Sequence, residues 1–148
     1  IISATGLNMV QLGEAEFEVD GKIVDFSKTW TYKGLMYSGV PNLVSTFGYI
    51  NASWTLGADL TAEYFCRMIN YMENDGHNQV TPTLREQDKD MVPRPWIDDF
   101  SAGYMQRVMP LLPRQGDKAP WLNTQDYKAD KKLRGKAKFD DGALVFKH

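Results

Sequence analysis

The stretch Gly48-Tyr49-Ile50-Asn51-Ala52-Ser53-Trp54-Thr55-Leu56, residues 48–56, predicts more about the fold of this chain than any other segment. A glycine is followed by small and polar residues and then by a long run with helical periodicity. Within residues 55–74 the apolar side chains recur every three or four positions, as on the buried face of a helix. These side chains are Leu60, Tyr64, Phe65, Met68, Ile69 and Met72. Asn74-Asp75-Gly76 is expected to end this helix, because glycine readily adopts the left-handed C-terminal conformation.

The start of this helix is a candidate binding site. Residues 43–47 have the β-branched and aromatic character of a buried strand, and Asn51 or Ser53 is expected to cap the helix. A strand, a glycine turn and a helix N-terminus in this order can receive the edge of a nucleotide or flavin, because the first helical N–H groups lack intrahelical partners. The plainer alternative is that Gly48 only makes a turn and a polar residue only caps the helix. For Trp54 the two roles are core packing and the wall of a ligand pocket, and core packing is the expected one.

Two further segments are predicted to be hairpins. Asp20-Gly21 supplies the left-handed backbone that a tight turn needs between residues 17–19 and 23–26. A second hairpin is predicted about Asp141-Gly142 in the tail, residues 136–147.

The rest of the chain after residue 76 is rich in proline and is expected to hold only short helices. One is predicted from Ser101 to near Pro110, and another from Asn123 or Thr124 to about Leu133. The basic residues of residues 128–138 are interspersed with aspartates, which favours a solvated helix face over a binding patch.

Composition excludes several function classes. A chain of 148 residues with 43% hydrophobic and 24% charged residues can build one globular core. Its net charge of -2 argues against nucleic acid as a partner, because phosphate binding needs a concentrated basic surface. One cysteine, Cys66, and two histidines provide no multi-thiolate metal site and no disulfide framework, so neither a metal site nor a catalytic residue is predicted. No apolar run is long enough for a transmembrane helix, and a cytoplasmic protein is expected.

A set of ordered motifs along the chain resembles one known enzyme family. The most specific are Ala4-Thr5-Gly6, Pro41-Asn42-Leu43 and residues 48–56, and the resemblance continues at Pro93-Arg94-Pro95, Gly103-Tyr104, Pro120-Trp121 and Gln125-Asp126-Tyr127. In this order the motifs resemble the C-terminal part of class B flavin monooxygenases. Within that family the sequence is most similar to the FAD-containing Baeyer–Villiger type, especially its ethionamide-activating branch.

The resemblance implies an α/β fold, or α+β for this chain in isolation, as the C-terminal part of a flavoprotein with two dinucleotide-binding domains. Residues 1–76 would end the NADPH domain and cross back into the FAD domain, and residues 77–148 would form an irregular helical cap with a terminal hairpin. The family carries FAD and NADPH and inserts one oxygen atom of O2 into a ketone or onto a sulfur or nitrogen atom. The residues implied in cofactor binding are Ala4, Thr5, Gly6, Gly48, Asn51, Ser53 and Trp54.

The nucleotide fingerprints of the family are not found in these residues. The chain starts with Ile1-Ile2 in an apolar segment that looks like a strand cut from a longer protein. We therefore expect a fragment that cannot itself catalyse oxygenation and that self-associates through apolar surface. The alternatives are a stand-alone binding module and a remnant of a pyridine-nucleotide disulfide reductase.

Overall fold

The computed structural model describes residues 1–4, 6, 8–98 and 100–148. These residues form helices α1 (Trp54–Asp75), α2 (Gly103–Val108) and α3 (Tyr127–Arg134), and strands β1 (Glu18–Val19), β2 (Lys22–Ile23), β3 (Thr31–Tyr32), β4 (Met36–Tyr37), β5 (Gln79–Pro82) and β6 (Leu144–Lys147). The strands pair antiparallel as β1–β2, β3–β4 and β5–β6. This mixture of helices and small antiparallel sheets fits the predicted α+β fragment.

Helix α1 confirms the main prediction from periodicity. It ends at Gly76, which has φ of 72° and donates its N–H to carbonyl groups of the last turn. The buried face includes Leu60, Tyr64, Met68 and Met72 as expected, whereas Phe65 is 40% exposed. The helix packs on α3 and on loop side chains such as Phe139, whose ring centroid lies 5.3 Å from that of Tyr64.

The predicted hairpin at Asp20-Gly21 is confirmed. Both residues have positive φ, 52° and 76°, and the flanking strands β1 and β2 are only two residues long. The strand predicted over residues 43–47 is wrong, because this stretch belongs to no ladder. Its backbone is held instead by the Ser45 N–H, which donates to the Leu35 carbonyl at 2.8 Å.

The predicted tail hairpin is also wrong. Strand β6 pairs with the distant β5, with Val80 opposite Phe146, rather than with residues 136–139. The turn is fixed to the body of the protein: the Asp141 carboxylate accepts a hydrogen bond from the Tyr32 hydroxyl at 2.6 Å and pairs with the Lys33 ammonium at 3.3 Å. These contacts direct the chain toward β5.

The ends of the remaining elements differ from those predicted. Helix α2 follows Ala102 rather than Ser101, and α3 follows Asp126, whose carboxylate accepts the Ala129 N–H at 2.7 Å. Residues 1–4 form no strand, and their side chains are exposed. Arg134, placed by sequence on a solvated basic face, is only 3% exposed.

The core consists of two clusters of buried side chains. The larger joins residues from both halves of the chain, including Tyr32, Tyr64 and Trp121, and the smaller lies around Trp96 and Met105. In the portion of the chain that the structure describes, no helix combines the length and apolarity that crossing a membrane requires.

An ion pair with a buried carboxylate stabilises the turn at residues 85–88. Asp88 is 1% exposed, and its carboxylate accepts hydrogen bonds from Arg85 Nε at 2.8 Å and Nη2 at 2.9 Å. Burial alone would raise the pKa of Asp88, but the hydrogen bonds from Arg85 outweigh it and lower the pKa to about 2.

This pair predicts an acid-dependent loss of stability. Because the pKa of Asp88 falls from 3.8 to about 2 on folding, its contribution is present above pH 3.8 and is lost as the pH falls through 2. Asp88→Asn should flatten the decline of the unfolding free energy between pH 4 and pH 2, measured by urea denaturation. Glu86→Gln, in the same turn but 86% exposed, is the matched control and should keep the wild-type slope. An unchanged slope in Asp88→Asn would contradict this assignment.

Candidate functional site

The segment before α1 packs directly on the first turns of the helix. A Cβ atom built on Gly48 would lie 2.3 Å from Trp54 Cδ2, and one built on Gly57 would lie 3.2 Å from Gly48 Cα. Any side chain at position 48 would therefore force the Trp54 ring or the backbone to shift. The ring that approaches this backbone closely is the indole of Trp54.

Trp54 lies half exposed at the surface, with 50% of its area accessible. Its ring packs edge-on against Phe47 at a centroid distance of 4.9 Å, and Phe47 packs in turn on Trp96 at 4.6 Å. Of the two roles that the sequence left open for Trp54, burial in the core is wrong, because half of the side chain faces solvent.

An open cavity of about 370 Å³ lies beside Trp54, and we call it the aromatic cleft. Its lining residues are Asn8, Met9, Phe47, Tyr49, Ile50, Trp54, Phe100 and Tyr104. None of these described lining residues is charged. An adjoining cavity of about 300 Å³ shares Met9, Phe47 and Trp54. Sequence reasoning missed Met9, Phe100 and Tyr104 as cleft residues, because Met9 lies far from the other two in the chain and no periodic pattern joins them.

The predicted cap of α1 is confirmed in its position but not in its hydrogen bonding. Ser53 occupies the N-cap position, but its side chain makes no capping hydrogen bond and instead lies 2.8 Å from the Thr55 hydroxyl. Asn51 is exposed in the bend before the helix. The first turn of α1 contains no acidic residue. Its leading backbone N–H groups therefore have no side-chain acceptor from these predicted caps and carry the partial positive charge of a helix N-terminus.

One residue of the N-terminal motif, Gly6, lies near the same region. Gly6 has φ of 81°, and a Cβ built on it would lie 3.6 Å from Tyr104 Cδ1, at the wall of the aromatic cleft. Ala4 is exposed, and Thr5 lies outside the described residues. The structure thus brings Gly6 near Tyr104, which lines the cleft together with Trp54.

The loop before α1 is fixed in place by the C-terminal third of the chain. The Tyr49 hydroxyl donates to Asp130 Oδ2 at 2.8 Å, and Asp130 is fully buried. The same carboxylate accepts from the Thr124 hydroxyl at 2.7 Å and pairs with Arg134 Nη2 at 3.2 Å. Burial, with the neighbouring Asp130 carboxylate, raises the pKa of Tyr49, so the hydroxyl remains a donor.

This arrangement suits binding rather than acid–base chemistry. The cleft offers flat aromatic surfaces, and the start of α1 offers backbone donors next to them. Cys66 is exposed on α1 and is not among the cleft residues. A planar ring with an electron-rich edge would pack on the aromatic surfaces and accept hydrogen bonds from the backbone donors.

Comparison with known proteins gives several relatives. The chain is 47% identical over 146 residues to the FAD-containing monooxygenase EthA of Mycolicibacterium smegmatis and 44% identical to EthA of Mycobacterium tuberculosis. It is 42% identical over 147 residues to the probable FAD-binding monooxygenase AlmA of Acinetobacter baylyi. Each alignment covers 99% of this chain and 29% of the relative. No protein-family model and no solved structure matches the chain.

The resemblance inferred from the motifs is confirmed at the level of FAD-containing monooxygenases. The chain spans less than a third of the length of these relatives. The individual site residues remain predictions.

The packing at Gly48 yields a test by double substitution. Gly48→Ala should destabilise the protein by about 1–3 kcal/mol, because the new methyl group overlaps the Trp54 ring. In a Trp54→Ala background the same substitution should cost much less, since the overlapping ring is gone. Urea denaturation of the four proteins measures the coupling.

Gly103→Ala is the matched control, because its added methyl group would meet only Arg107 Nη1 at an ordinary 3.6 Å. It should change stability little in either background. An equal cost of Gly48→Ala with and without Trp54 would show that the indole is not the obstacle.

Proposed function

Because the chain is homologous along nearly its whole length to FAD-containing monooxygenases, we propose that it is one segment of such an enzyme and borders the flavin. The observation that carries this proposal is the aromatic cleft beside an uncapped helix start. Of the four residues predicted in this region, Trp54 lines the cleft, whereas Gly48, Asn51 and Ser53 belong to the segment before α1 and are not among the lining residues.

The residues present fit the edge of an isoalloxazine ring. Trp54 and Tyr104 provide aromatic surface, and the backbone N–H groups at the start of α1 can donate to the oxygen and nitrogen atoms of the pyrimidine portion. Gly6 lies next to Tyr104, which is consistent with a place for the Ala4-Thr5-Gly6 motif at the crossing between domains. The rest of the cofactor would lie on polypeptide that corresponds to the other 71% of the relatives.

The reaction that we propose for the whole enzyme uses O2, NADPH and an organic substrate. One oxygen atom enters a ketone or is added to a sulfur or nitrogen atom, the other leaves as water, and NADPH supplies the two electrons. Bound FAD supplies the redox chemistry and the reaction with O2.

This chain's own residues contribute position and water exclusion. The apolar side chains of the cleft keep solvent away from the flavin edge. The α1 N–H groups favour an electron-rich atom in front of them. Tyr49 holds the loop through its hydrogen bond to the buried Asp130.

The 148-residue chain alone is predicted to be inactive. Mixed with FAD, NADPH and a cyclic ketone or a thioether, it should oxidise NADPH no faster than free FAD does, because it provides only one side of the proposed site. The full-length gene product should be purified yellow and should consume NADPH when the substrate is added. Absorbance at the NADPH band and product analysis measure both.

Two outcomes would contradict the proposal. Steady oxygenation by the 148-residue chain would show that the segment is a complete catalyst. A full-length product that binds no flavin would show that the site does not serve this cofactor.

A further inference from the structure

The side chain of Gln125 bridges two backbone groups of the loop that leads into α1. Its Oε1 atom accepts the Ile50 N–H at 3.1 Å, and its Nε2 atom donates to the Gly48 carbonyl at 3.4 Å. The two loop residues are separated from Gln125 by more than seventy positions in sequence. A single amide thus fixes the loop at two points, one on each side of Tyr49.

A third hydrogen bond determines which way this amide faces. Gln125 Nε2 also donates to Asn123 Oδ1 at 3.3 Å. Asn123 is 4% exposed, and its own Nδ2 atom donates to the Trp96 carbonyl at 2.9 Å. Because the Asn123 amide is oriented by Trp96, it presents an acceptor to Gln125, and the reversed Gln125 amide would place two acceptors together.

The backbone of Gln125 is strained. Its φ angle is 50°, a left-handed conformation that side chains with a Cβ atom adopt at a cost. A glycine would adopt this conformation freely, yet the sequence has a glutamine here. The strained backbone and the three directed hydrogen bonds together indicate that glutamine is found here because of the groups that its side chain binds.

We propose that Gln125 is a positioning residue for the flavin: it sets the orientation of the peptide groups at Gly48 and Ile50 that precede the α1 N–H donors. This proposal rests on the proposed function. Ile50 lines the aromatic cleft, and Gly48 packs against Trp54, which lines it too. Rotation of either peptide group would therefore move the surface that meets the flavin ring. Gln125 itself is not among the residues that line the cleft.

The first experiment tests the hydrogen bonds from Gln125 to Ile50 and Gly48, which we call the clamp, without any cofactor. In the 148-residue chain, Gln125→Ala should increase hydrogen exchange at the Ile50 amide roughly fivefold to tenfold, the effect of losing one ordinary hydrogen bond. Gln125→Gly should produce the same increase while keeping the melting temperature at or above that of Gln125→Ala, because glycine removes the strain at φ of 50°. An Ile50 amide that exchanges at the wild-type rate in both variants would overturn the clamp.

The second experiment measures how loss of the Gln125 hydrogen bonds affects flavin binding in the full-length gene product. Gln125→Gly should weaken FAD binding roughly tenfold and shift the absorption or circular dichroism of the bound flavin. A purely structural role would not move the spectrum of a protein that keeps its thermal stability. Gln125→Glu should show the same defect at neutral pH, where its carboxylate faces the Gly48 carbonyl, and should recover partly at low pH, where the protonated acid donates again.

The control is Gln79→Ala, because Gln79 Nε2 bonds to the Thr81 hydroxyl in β5 and contacts neither the loop nor the cleft. It should leave FAD affinity and spectrum unchanged. If the full-length protein binds no FAD, the proposed function fails, although the exchange result still tests the clamp. If FAD binds and the Gln125 variants keep wild-type affinity and spectrum, the positioning role is refuted while the proposed function survives.

Discussion

A side chain at position 48 would occupy the space that the Trp54 indole fills, and this constraint determines the geometry of the whole site. Gly48 lets the incoming chain lie against Gly57, so that the first turns of α1 and the loop before it form one packed unit. The indole is half exposed and lines an open cleft instead of the core. The same close packing places the backbone donors of the helix start beside an aromatic surface.

The C-terminal third of the chain holds this unit in place. The fully buried carboxylate of Asp130 accepts hydrogen bonds from the hydroxyls of Tyr49 and Thr124 and forms an ion pair with the guanidinium of Arg134. Removing water from these charges is costly, and their mutual hydrogen bonds offset the cost only when the geometry is maintained. The loop before α1 is thus positioned by residues that lie far from it in sequence.

Local physics made part of this structure predictable. The spacing of Leu60, Tyr64 and Met68 reports burial on one helix face, and Gly76 marks the end of α1 because its left-handed conformation is a property of the residue itself. The β1–β2 turn follows from Asp20-Gly21 for the same reason. The predictions that were wrong concern contacts between residues that are distant in the chain. The pairing of β6 with β5 depends on the contacts that Asp141 makes with the body of the protein. The burial of Arg134 depends on its contacts with Asp130 and α1. The pattern of charges along the sequence reveals neither set of contacts. Ser53 looked like a cap, yet its hydroxyl bonds to Thr55.

The most direct test of this account is the structure of the full-length protein with FAD bound, determined by crystallography or cryo-electron microscopy. The account predicts that the isoalloxazine ring lies at van der Waals distance, about 4 Å, from residues 48–54, with its pyrimidine edge toward the first N–H groups of α1. A flavin whose ring makes no contact with this loop or with the start of α1 would contradict it.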